Sequence, residues 1–194
     1  MSGRQDYDGI HRAIAFATKA HVGQLRKGTD VPYVTHPVSV GTLLARAGCA
    51  DDLIMAGILH DCLEDTETTF EQLKVEFNET VAELVRDCSE KDRSGSWIER
   101  KEATVKKLKD VSDEACLVAC ADKTHNLWSM IRDFRQLGEA LWERFNATRE
   151  SQIWYFKSLG IVFSERHEQH PLFTDYQEHL KTFLNLVEKE SHDF

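Results

Sequence analysis

Apolar residues recur at helical spacing through most of the chain, and no stretch of useful length alternates apolar with polar, so the pattern predicts helices and no sheet. Ile10, Ala13, Ile14 and Ala17 mark a first amphipathic helix from Tyr7 to about Val22. Two prolines and a glycine make Gln24 to Pro37 a loop, with Pro37 in the first turn of a helix to about Ala47 and His36 at its threshold. Asp51 or Ala50 opens a helix that is almost wholly apolar until His60 and Asp61, and the periodicity carries it without a break to Thr66. Thr68 with Glu71 and Ser96 with Glu99 have capping-box spacing, while Asn78 and Ser112 are further N-caps. The Ser112 helix runs towards a stop at Gly138, a second long helix spans Glu139 to about Glu165, and Leu180, Phe183, Leu184 and Val187 mark the last. The fold class this predicts is all-α, a bundle of about eight to ten helices in one domain over residues 1–194, with the helices of 139–190 packed on the part before them.

Composition narrows the function classes. A hydrophobic content of 41% and a charged content of 29% are those of a globular protein with its own core, and no apolar run approaches the roughly 20 residues that cross a bilayer. No membrane partner is expected. The first residues lack the apolar core of a secretory signal, so a cytoplasmic location is expected. A net charge of −9 argues against nucleic-acid binding, which needs a basic face. The five cysteines include no Cys-x-x-Cys and read as free thiols. Arg100, Lys101, Lys106 and Lys107 read as a solvated face, Ser89–Ser96 as a mobile loop able to cover a site, and the aromatic residues after Glu139 as core.

The chemistry concentrates after Leu59. His60, Asp61, Glu64 and Asp65 crowd three carboxylates and an imidazole onto two turns, and like charges at these spacings repel unless something positive joins them. A divalent cation would supply that charge, since carboxylates and imidazoles are common ligands of first-row metals. The competing account is a helix end emerging into water, with His60 satisfied by a backbone carbonyl. Two other segments weigh on the choice: His36, in a loop stiffened by proline on both sides, and Asp122, set among apolar neighbours with His125 and Asn126 one turn later.

The order His36, His60-Asp61, Asp122 resembles the signature of the HD-domain metal-dependent phosphohydrolases. The words Arg-Lys-Gly-Thr-Asp-Val-Pro-Tyr-Val-Thr-His-Pro, His-Asp-Cys-Leu-Glu-Asp-Thr and Ala-Asp-Lys-Thr-His-Asn-Leu resemble the hydrolase domain of the RelA/SpoT family, over about residues 7–135. The resemblance implies that His36, His60, Asp61 and Asp122 hold one ion, manganese in that family, and that Glu64 and Asp65 are the catalytic acidic pair. It implies that Arg26 and Lys27 form a basic pair facing the nucleotide and that Asn126 lies on the substrate side. The activity implied is removal of pyrophosphate from the 3′ position of guanosine tetra- and pentaphosphate, a small nucleotide substrate, by a stand-alone hydrolase. Hydrolysis of another phosphate ester, or nucleotide binding without turnover, are the alternatives.

Overall fold

The computed structural model describes residues 7–90 and 94–189, and among these every regular element is helical. The order is α1 (Tyr7–Ala20), α2 (Thr35–Arg46), α3 (Asp51–Leu59), α4 (Cys62–Asp65), α5 (Phe70–Glu76), α6 (Glu79–Cys88), α7 (Trp97–Lys107), α8 (Asp113–Leu137), a 3-10 helix (Gly138–Arg144), α9 (Arg149–His167) and α10 (Pro171–Lys189). The all-α expectation holds.

The chain forms two compact units. The first contains the described residues up to Ser89 together with Ser112–Asp122. At its centre is α3, whose residues from Leu53 to Leu59 are all buried, with α1, α2 and α6 packed around it. Burying each such aliphatic side chain contributes roughly 1.5–3 kcal/mol, which is why a helix without a polar face is stable only in this central place. The α2–α3 approach depends on two glycines. A Cβ on Gly41 would lie 2.4 Å from Ile58 Cγ1, and one on Gly57 would lie 2.3 Å from Leu44 Cδ1.

The second unit contains Glu90 to Val111 and the chain from Lys123 onwards, over the described residues. Its core is aromatic: Trp142 packs against Phe134 at 5.7 Å and Phe183 at 6.3 Å, and Phe156 against Phe183 at 5.9 Å. Tyr176, fully buried, donates its hydroxyl to the Phe156 carbonyl at 2.7 Å. The aromatic run is therefore core, as its density predicts.

Four local readings change. The run from Ile54 to Thr66 is two helices, because His60 and Asp61 form a turn and Asp61 (φ −90°, ψ −6°) starts a new one by accepting from the Asp65 amide at 2.8 Å. The His60 ring takes the Gly57 carbonyl at 2.8 Å, the acceptor an unbroken helix would offer the Asp61 amide. Thr69 with Gln72, one residue after the predicted pair, forms the capping box of α5. The predicted helix from Glu139 is a 3-10 turn followed by α9, which Thr148 caps by accepting from the Ser151 amide. Within the basic run, Arg100 and Lys101 are part-buried and both pair with Glu90 instead of facing water. The Asn78, Ser96 and Ser112 caps are where the pattern puts them. Of the Ser89–Ser96 loop, residues 91–93 lie outside the described residues.

Candidate metal centre

Four side chains of the first unit converge from three elements: His36 from the first turn of α2, His60 and Asp61 from the turn after α3, and Asp122 from α8. His36 Nε2 lies 3.1 Å from Asp122 Oδ1 and 3.6 Å from Asp61 Oδ2. His60 Nε2 lies 3.1 Å from Asp61 Oδ2 and 3.7 Å from Asp122 Oδ1. His36, His60 and Asp122 are buried, and one ligand atom from each falls within 4.8 Å of the others.

The two imidazoles are not equivalent. His60 Nδ1 is committed as donor to the Gly57 carbonyl, which turns Nε2 inward, and that buried nitrogen makes no hydrogen bond of its own. An inward nitrogen left over in this way, facing two carboxylate oxygens, is the arrangement of a histidine oriented for a metal by its other ring nitrogen. Two imidazole nitrogens and two carboxylates make a mixed N/O donor set that fits a divalent first-row ion. The backbone carbonyl fixes the ring, and the buried ring faces the cluster instead of water.

Electrostatics agree with a cationic centre. Burial disfavours the His60 imidazolium, yet the Asp61 and Asp122 carboxylates outweigh that and hold the ring well above the ordinary histidine range. Burial also disfavours ionised Asp61, but the charge of His60 beside it, with that of His36, keeps its carboxyl well below the usual range. For His36 burial wins and its pKa is lowered. Cys62, buried beside Asp61, is pushed up to about 12 by burial and the charges of Asp61 and Asp65, so it stays a thiol and is no thiolate ligand.

The HD domain family matches residues 13–153. That chain segment contains every member of the cluster. The chain belongs to the HD domain family. It is similar to a guanosine-3′,5′-bis(diphosphate) 3′-pyrophosphohydrolase MESH1 of Danio rerio, 38% identical over 122 residues that make up 61% of this chain and 67% of the relative. It is 38% identical over 117 residues to the guanosine-3′,5′-bis(diphosphate) 3′-pyrophosphohydrolase of Haemophilus influenzae, which is 57% of this chain but only 17% of that longer protein. A solved structure of a metazoan ortholog of SpoT that hydrolyses ppGpp superposes with a TM-score of 0.75 at 27% identity, covering 92% of this chain and 97% of that one.

Around the cluster of this HD domain the remaining candidates fall differently. Glu64 and Asp65 lie on α4, both half-buried, directly after the His60-Asp61 turn. Arg26 and Lys27 lie in a loop that is less irregular than its prolines suggest. Leu25 and Pro32 form an isolated antiparallel bridge, the Arg26 amide donates to the Val31 carbonyl at 2.8 Å, and the Tyr33 amide donates to the Gln24 carbonyl at 2.9 Å. The tip, Arg26 to Thr29, closes with the Thr29 amide on the Arg26 carbonyl at 3.0 Å, and Gly28 at φ +72° supplies the left-handed third position such a turn needs. This separates the basic pair: Arg26 is half-buried with its guanidinium 5.5 Å from the Tyr33 ring centroid, while Lys27 is exposed at the tip. Asn126 lies four residues beyond Asp122 along α8, is half-buried, and belongs to the second unit.

Sequence reasoning singles out neither Tyr33 nor Gln24, and it assigns His21 no role at the site. The Tyr33 hydroxyl donates to Asp61 Oδ2 at 2.7 Å and stands 3.5 Å from Asp65 Oδ2, and burial with Asp61 beside it pushes the phenol well above its ordinary range. Gln24 Nε2 donates to the Asp65 carbonyl at 2.8 Å, and His21 Nδ1 donates to Gln24 Oε1 at 2.8 Å. The available signal was a tyrosine three residues before a candidate ligand, in a loop of otherwise small or polar residues between prolines.

Proposed function

We propose that this HD domain is a metal-dependent hydrolase that removes pyrophosphate from the 3′ position of guanosine tetra- and pentaphosphate, leaving GDP or GTP. The observation that carries the reading is the convergence of His36, His60, Asp61 and Asp122 into one cluster, with Glu64 and Asp65 on the short helix that starts directly after the His60-Asp61 turn. The names of the relatives from Danio rerio and Haemophilus influenzae support the substrate.

In this reading His36, His60, Asp61 and Asp122 hold a single divalent ion of the manganese class. When bound, such an ion polarises a phosphate oxygen and lowers the pKa of water. Glu64 accepts a proton from the attacking water or keeps it in line with the 3′ phosphorus, with Asp65 beside it. Arg26 binds the nucleotide, and Lys27 adds positive potential at the loop tip, which a polyanionic substrate needs on a chain of net charge −9. No described helix is long and apolar enough to cross a membrane, in keeping with a cytoplasmic enzyme acting on a small diffusible nucleotide.

The test is incubation of the manganese-loaded protein with a nucleotide panel, measuring pyrophosphate and inorganic phosphate separately. Pyrophosphate from the guanosine alarmones, lost together with the bound metal in His60→Ala, is the expected result. Inorganic phosphate from other esters, or metal binding without turnover, would overturn the substrate assignment.

A further inference from the structure

Tyr33 touches the cluster from outside it. Asp61 Oδ2, which lies 3.1 Å from His60 Nε2 and 3.6 Å from His36 Nε2, is also the oxygen that accepts from the Tyr33 hydroxyl at 2.7 Å. A carboxylate oxygen has two lone-pair directions, so the phenol occupies one and leaves the other for a further partner. With the phenol in place, rotation of the Asp61 carboxylate about its Cβ–Cγ bond breaks a short hydrogen bond to a charged acceptor, the strong kind of protein hydrogen bond.

The phenol is itself held. Its backbone amide is paired to the Gln24 carbonyl, and its carbonyl accepts from the His36 amide at 2.9 Å. Its ring sits between His21, at 5.0 Å, and His36, at 5.9 Å. The same stretch of chain touches the Asp61–Asp65 turn twice more. Gln24 Nε2 holds the Asp65 carbonyl, and His21 Nε2 faces the Cys62 thiol at 3.8 Å. These tautomers are mutually consistent, because His21 Nδ1 is spent on Gln24 Oε1 and Nε2 is left to accept from the thiol.

We propose that Tyr33 is a positioning residue that sets the Asp61 carboxylate for the metal, acting as the head of a brace formed by His21, Gln24 and Tyr33 against the Asp61–Asp65 turn. This rests on the ligand assignment made above. The brace also connects the basic loop to the cluster, since the residue that carries Arg26 on its ring face is the one whose hydroxyl holds Asp61. Removal of groups that orient a metal ligand typically lowers metal affinity or activity by about 10- to 100-fold.

The experiment is Tyr33→Phe, which keeps the ring against His21, His36 and Arg26 and removes only the hydroxyl. Manganese affinity is read from the free aquo-ion signal in electron paramagnetic resonance, with metal-free thermal unfolding as the control for folding and kcat and KM for the alarmone read in parallel. The expected result is a manganese Kd raised by about 10-fold or more, with kcat lowered, KM changed less, and the metal-free transition near that of the wild type. A ring with only a packing role would be served equally by phenylalanine, so a Kd within about twofold of the wild type overturns the proposal. Wild-type protein that binds manganese but does not cleave the alarmone would overturn the substrate reading, with Tyr33 still judged on Kd. Wild-type protein that takes up no manganese would overturn both.

Discussion

The imidazole of His60 is aimed by Gly57. The 2.8 Å bond from Nδ1 to the Gly57 carbonyl ties the candidate ligand to the residue whose missing side chain lets α3 approach α2. A helix contact and the orientation of a ligand therefore share one backbone position, and a change made for packing reasons reaches the cluster.

Gly57→Ala tests that link. The new Cβ would stand 2.3 Å from Leu44 Cδ1, and Leu44 is fully buried, so it has no open space to swing into. Overpacking of this kind typically costs about 1–3 kcal/mol, and the better helix propensity of alanine returns at most about 1. A net loss of about 1–2 kcal/mol in urea unfolding is expected, together with weaker metal uptake. Unchanged stability would mean that α2 and α3 can separate freely.

Glu64→Gln separates chemistry from binding. Loss of a general base typically costs about 10²- to 10⁴-fold in rate, so kcat should fall by about two orders of magnitude or more while metal content, fold and KM stay close to the wild type. Steady-state kinetics with elemental analysis on the same preparation checks it. Near-normal kcat with the metal retained would transfer the role to Asp65, whose main chain Gln24 already fixes.

In the second unit, Glu90 gives a pH signature. Burial works against its charge, but the hydrogen bond and charge of Lys101, with Arg100, outweigh it and hold its carboxyl below the ordinary 4.5. A depressed folded pKa means that the stabilisation is fully present above the unfolded value and is lost as the pH falls through the folded one. Glu90→Gln should therefore cost about 1–2 kcal/mol near neutral pH, for a part-buried pair, and progressively less below about pH 4. Thermal or urea unfolding of both proteins across pH 3–7 measures it, and a difference independent of pH would exclude the ion pairs as its source.

The parts that were legible in the sequence are those fixed by local chemistry. Asn78, Ser96 with Glu99, and Ser112 cap helices because their side chains satisfy amides two or three residues on, which needs no tertiary partner. Thr68 and Thr69 compete for the same duty, and only the geometry of the Thr66–Thr68 hydroxyl pair, at 2.8 Å, leaves Thr69 to cap α5. The break at His60 was hidden because both residues keep right-handed backbone angles and the apolar periodicity runs straight through. What breaks the helix is a ring capturing a carbonyl, and a residue string does not display that. Tyr33 was hidden for a related reason: its role depends on a contact with Asp61, 28 positions away.

The paired base of the Gln24–Tyr33 loop gives the molecule two regions that can vary independently. The bridge between Leu25 and Pro32 and the Tyr33–Gln24 bond fix the register of Tyr33, while the tip around Lys27 and Gly28 hangs beyond the last pair. Substitutions or insertions at that tip can be sampled in evolution without displacing the phenol from Asp61. If the tip faces the nucleotide as proposed, substrate preference can be altered there without disturbing the groups that hold Asp61.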